Sequence, residues 1–98
     1  MFTIKRTGIF ADWLRDLKDR RARIRIMDRI DRAEGGNLGD VKPVGEGVSE
    51  MRIAYGPGYR LYFIRSGKVM IVLLCGGDKS TQSKDISEAK RLAKEWKE

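Results

Sequence analysis

The sequence predicts an α+β domain: a short strand and a two-helix hairpin, then an antiparallel sheet of about four strands, then a C-terminal helix packed on that sheet. Three observations carry the prediction. Apolar residues recur at helical spacing over residues 7–34, glycines punctuate strand-like runs over residues 41–75, and helical spacing returns over residues 82–96. A chain of 98 residues can bury one modest core and not two, so residues 1–98 read as a single domain.

Residues 2–5 have the composition of a short strand, and Thr7 can cap a helix whose apolar face is Ile9, Phe10, Trp13, Leu14 and Leu17. A second helix, starting near Asp19 or Arg20, uses Ala22, Ile26, Ile30 and Ala33 with Met27 beside them, and stops at Gly35 and Gly36. Ten basic and six acidic side chains lie between Lys5 and Glu34, and their mixed sign reads as a solvated face with local ion pairs. Residues 41–44, 48–55, 59–65 and 68–75 read as strands, joined by turns short enough to require antiparallel pairing. The run from Val69 to Cys75 is apolar without alternation, which marks a central strand covered on both faces and makes Cys75 buried filler. In the last helix Ile86, Ala89, Ala93 and Trp96 form one stripe with Leu92 adjacent, while Lys84, Glu88, Arg91 and Glu95 face away. Trp13 and Trp96 both fall on apolar stripes and read as core.

The formal net charge of +7 favours polyanionic partners such as RNA, DNA or an acidic protein. Cys75 is the single cysteine, so no internal disulfide forms, and with no histidine a structural zinc site has almost no ligands left. No apolar run approaches the roughly 20 residues that span a bilayer, and the N-terminus lacks the apolar stretch of a signal peptide. The expectation is a soluble, cytoplasmic, metal-free protein.

Function is expected between Glu50 and Gln82. Strand alternation places Glu50, Arg52 and Ala54 on one face and Met51, Ile53 and Tyr55 on the other; in the next strand Arg60, Tyr62 and Ile64 share a face opposite Tyr59, Leu61 and Phe63. A hairpin pairing residues of like parity around Gly56, Pro57 and Gly58 brings Arg52 and Arg60 to one face. Two arginines side by side repel, and an anion between them removes the cost. A phosphate suits them, because each guanidinium presents a planar fork of donors; solvated arginines with Glu50 as an ion-pair partner are the plainer reading. Gly76, Gly77, Asp78, Lys79 and Ser80 are expected as a loop whose backbone amides could face an anion while Lys79 adds a charge. Asp78 interrupts the Gly-Lys-Ser order, so this is not a nucleotide-binding P-loop; the plainer reading is a strand-to-helix turn capped by Ser80 or Thr81.

Arg52, the GYRLYF hairpin at 58–63, the LLCGGDKSTQ segment at 73–82, and Asp85-Ile86 leading into AKRLAKEW together resemble the RelE/HigB superfamily of bacterial toxins. More narrowly, they resemble its phage-derived addiction-module killer proteins, and the likeness runs over nearly the whole chain. The resemblance implies a RelE/ParE-like fold and a type II toxin that cleaves translated mRNA on the ribosome without a cofactor. It implies as partners the ribosome, mRNA and a cognate helix-turn-helix antitoxin. Carried over to this sequence, it gives Arg52, Arg60 and Lys79 the task of holding and neutralising the scissile phosphate while the RNA 2′-hydroxyl attacks.

One departure stands out. RelE-like toxins place a tyrosine near the start of the last helix and related ones use histidine, whereas this chain has Asp85 and Ile86 there. Glu50 is the best-placed carboxylate for proton transfer and Tyr62 the next candidate. Lys42, Tyr62 and Gln82 are candidate RNA contacts. Relatives of the ParE type share the fold and poison DNA gyrase without catalysis, and a nucleic-acid-binding protein without catalysis is a third reading.

Overall fold

The computed structural model describes residues 1–96. In chain order the elements are β1 (Thr3–Arg6), α1 (Gly8–Asp16), α2 (Arg20–Glu34), β2 (Val41–Gly45), β3 (Val48–Ile53), β4 (Tyr59–Ser66), β5 (Met70–Asp78), a 3-10 turn (Lys79–Thr81) and α3 (Gln82–Glu95). The strands form one five-stranded sheet in the order β1-β5-β4-β3-β2. The expected sheet of about four antiparallel strands is thus a mixed one: β1 runs parallel to β5, with Thr3 opposite Met70 and Arg6 opposite Leu73, and the remaining pairs are antiparallel.

Each helix has the start its sequence suggests. The Thr7 hydroxyl accepts the Phe10 N–H at 3.0 Å and donates to the Leu74 carbonyl at 2.6 Å, which caps α1 and ties it to the sheet. Asp19 caps α2 by accepting from Arg21 and Ala22. Gly36, at φ +104°, turns the chain away after α2.

The sheet separates two apolar layers. On one face α1 and α2 bury Phe10, Leu14, Ala22, Ile26, Ile30 and Ala33 against Met51, Ile53, Leu61, Phe63, Ile71 and Leu73. On the other, α3 buries Ala89 and Leu92 against Val48, Tyr62, Val72, Leu74 and Cys75, with Ile86, Ala93 and Trp96 packed at the margin. The apolar run of β5 is covered on both faces, as its lack of alternation predicted. Met27, expected beside the buried stripe of α2, is instead 54% exposed.

β5 does not end at Cys75. It continues through Gly76, Gly77 and Asp78, which pair with Leu61, Arg60 and Tyr59. The expected glycine-led anion loop is therefore a strand, and the register shift opposite Tyr62 and Phe63 puts Leu74 and Cys75 on the same α3 face. The glycines serve packing: a Cβ on Gly76 would run into the Trp13 ring, and one on Gly77 into the Asp85 carboxylate.

Candidate functional site

The β3–β4 hairpin turns through residues 54–58, with Gly58 at φ +80° and its N–H donating to the Tyr55 carbonyl at 3.1 Å. A five-residue loop keeps like parities opposite each other, so Arg52 pairs directly with Arg60 and Glu50 with Tyr62. Two rows of side chains result on the α3 face. The Arg52 N–H donates to the Asp40 carbonyl at 2.9 Å, so the row at the hairpin end reads Asp40, Arg52, Arg60, Gly77. The next row reads Lys42, Glu50, Tyr62, Cys75.

The rows differ in what lies over them. The N-terminal end of α3 covers the second row. Glu50 is only 1% exposed; Gln82 donates from Nε2 to its carboxylate at 3.1 Å, and Arg60 Nε lies 3.6 Å away. The Tyr62 hydroxyl is fully buried with no hydrogen-bond partner, and burial pushes it well above the ordinary tyrosine range, helped by the nearby Glu50 and Asp85 charges. Alternation assigned these residues their face correctly but could not show that α3 encloses them. Glu50 and Tyr62 are thus enclosed, where the sequence expected groups open to an incoming hydroxyl or base, and the Glu50 carboxylate lies against Arg60. Gln82 is half-buried and engaged with Glu50, whereas Lys42 is exposed on the edge strand.

The first row is open at its Asp40 and Arg52 end, while α3 covers Gly77 at the other. Asp40, Arg52, Gly58 and Arg60 line one cavity of about 240 Å³. Arg60 is held by Glu50 on one side and by the Gly58 carbonyl, which accepts from Nη1 at 2.9 Å, on the other; its side chain is 13% exposed. Arg52 Nη2 donates to Asp40 Oδ1 at 2.9 Å, and this contact, first among its causes, holds the Asp40 carboxyl below the usual carboxylate range. The Nε–H groups of Arg52 and Arg60 are both buried without a hydrogen-bond acceptor. Lys79 follows β5: its N–H donates to the Pro57 carbonyl at 3.4 Å, and its Cβ and Arg60 Nη1 both lie close to where a Cβ on Gly58 would sit. Arg52 and Arg60 therefore share a cavity, whereas Lys79 is not among the residues that line it.

Two residues at this site escaped the sequence reading. Arg29, on α2, is 8% exposed and donates to the carbonyls of Arg52 at 2.6 Å and Leu38 at 3.0 Å; burial lowers its pKa. Its position within the stripe Ala22, Ile26, Ile30, Ala33 is the signal that could have found it. Asp85 accepts from the Thr81 hydroxyl at 2.5 Å and fills the space left by Gly77, so Thr81 braces Asp85 instead of capping α3; Asp78 caps the turn before it, accepting from the Ser80 N–H at 2.8 Å. Cys75 is buried, its thiol pushed up to about 12 by desolvation, and is no nucleophile at neutral pH. A larger groove of about 500 Å³ runs between α1 and α3, but its arginine, Arg91, is already paired with Glu88 and Glu95. Among the described residues no cluster of three or more His, Cys, Asp or Glu could hold a metal, and no helix is long and apolar enough to cross a membrane.

No protein-family profile matches the chain. An uncharacterized protein of Haemophilus influenzae is 52% identical over 92 residues, covering 94% of this chain and 93% of its own length. The chain belongs to the family of that Haemophilus protein. The match spans nearly the whole of both proteins.

Proposed function

We propose that this protein is the toxin of a type II toxin–antitoxin pair of the RelE/HigB kind, a cytoplasmic, metal-independent endoribonuclease that cleaves mRNA on the ribosome. The observation that carries the reading is the pairing of Arg52 with Arg60, which line one open cavity together. Like charges opposite one another on adjacent strands destabilise a sheet. An RNA phosphodiester supplies the opposite charge.

In this reading the RNA 2′-hydroxyl gives its proton to water as its oxygen bonds to phosphorus, the bond from phosphorus to the 5′-oxygen breaks, and the 5′-oxygen takes a proton from water. Arg52 and Arg60 take up the charge that grows on the phosphoryl oxygens, and Lys79 faces the leaving oxygen. Glu50 and Gln82 act through Arg60, fixing its guanidinium from below. The exposed Lys42 extends the positive surface along the RNA. The net charge of +7 supports a polyanionic partner and an acidic antitoxin surface covering the same face.

Induced expression followed by primer extension on translated messages tests the proposal. The wild type should arrest growth and leave truncated messages, and Arg60→Ala should lose both effects while keeping the fold. Intact messages accompanied by a DNA-damage response would instead indicate gyrase poisoning and overturn the nuclease reading.

A further inference from the structure

The open row begins with a carboxylate, and three arginines act on it. Asp40 Oδ1 accepts from Arg52 Nη2 at 2.9 Å, and the charges of Arg29 and Arg60 also stabilise its ionised form. Its side chain is 59% exposed against 39% for Arg52 and 13% for Arg60, so the carboxylate sits on the solvent side of the guanidinium groups. The backbone holds this arrangement without help from the carboxylate. The Asp40 carbonyl accepts the Arg52 N–H, Arg29 clamps the Leu38 and Arg52 carbonyls, and Gly39 sits at φ +69° where a Cβ would strike the Arg29 guanidinium. An ion pair this exposed adds little stability.

We propose that Asp40 is a built-in competitor for the anion site: its carboxylate occupies the Arg52 fork until an RNA phosphate displaces it. The inference rests on the anion-binding reading above and adds to it a means of selectivity. With Asp40 set against Arg52 and Glu50 against Arg60, the cavity carries little net charge toward a free monoanion. A phosphate held in place by the rest of a longer RNA has the local concentration to displace the carboxylate, and an isolated phosphate does not.

The test is fluorescence anisotropy of a short labelled single-stranded RNA, titrated over a range of salt with wild type, Asp40→Asn, Arg60→Ala and the double variant. Asp40→Asn should tighten binding by about 1.5- to fivefold, the scale of one exposed ion pair no longer competing. The slope of log affinity against log salt should steepen by about one ion. Arg60→Ala should weaken binding in both backgrounds and remove most of the gain. Asp40→Ser, also uncharged, should reproduce the effect if the asparagine variant folds poorly. Equal or weaker binding by Asp40→Asn, with the loss in Arg60→Ala intact, would overturn the competitor role and leave Asp40 as an orienting group for Arg52. Full binding by Arg60→Ala and by Arg52→Ala would remove the anion site itself, and the inference with it.

Discussion

Replacing Gly76 with alanine should destabilise the protein, although alanine is normally the better strand residue. In an unobstructed strand, alanine at a glycine position gains about 0.5–1 kcal/mol from the narrower unfolded ensemble. Here the new methyl would press on Cε3 and Cζ3 of the six-membered ring of Trp13, which packs against Phe10 with ring centroids 5.7 Å apart and against Tyr59 at 6.3 Å. A rigid indole in that setting can move only by disturbing α1, and overpacking of this kind costs about 1–3 kcal/mol. The net loss is up to about 2.5 kcal/mol, or a fall in Tm of up to roughly 20 °C for a domain of this size. Equilibrium urea unfolding of the purified protein measures it. A Trp13→Ala background removes the obstacle, so there the same change should cost nothing and recover the strand gain. Gly77→Ala should cost less, because its obstacle is the end of the Asp85 side chain, which can rotate. Gly76→Ala at or above wild-type stability, or an equal loss in the Trp13→Ala background, would refute the packing argument.

Arg29→Ala should cost about 2–4 kcal/mol in the same assay, since it strands two carbonyls that now share one buried guanidinium; Arg29→Lys should recover only part, because an ammonium lacks the fork. The Cys75 thiol has a folded value raised from 9.0 to about 12, so the folded state holds its proton more tightly than the unfolded chain. Stability should therefore fall as pH rises from about 9 toward 12, and comparing the pH dependence of Tm in wild type and Cys75→Ala isolates that contribution. The Asp40 carboxyl, held low chiefly by the Arg52 hydrogen bond, should titrate below the usual aspartate range by NMR and move upward in Arg52→Ala.

Local alternation and helical spacing made much of this molecule legible. The parity of residues 50–54 and 60–64 anticipated the Arg52–Arg60 pair, and the stripe from Ala22 to Ala33 anticipated the buried side of α2. What escaped depends on distant parts of the chain. The parallel pairing of β1 with β5 joins segments more than sixty residues apart, and a four-residue strand carries no sign of its neighbour. Gly76 and Gly77 read as a loop because glycine usually marks one, while their reason for being there is a tryptophan from α1 and an aspartate from α3. Alternation put Glu50 and Tyr62 on the correct face, but the cover over them comes from α3, whose placement no local pattern states.

The account stands on Arg52 and Arg60 sharing one phosphate. The most direct measurement is an NMR titration of the arginine Nε–Hε signals with a short single-stranded RNA, where both groups now lack acceptors. Their two signals should shift together and follow a single dissociation constant, and in Arg60→Ala the remaining Arg52 signal should stop moving. If they stay fixed while those of the exposed Arg20 and Arg21 move, the RNA binds on α2 and the cavity between β3 and β4 is not its site.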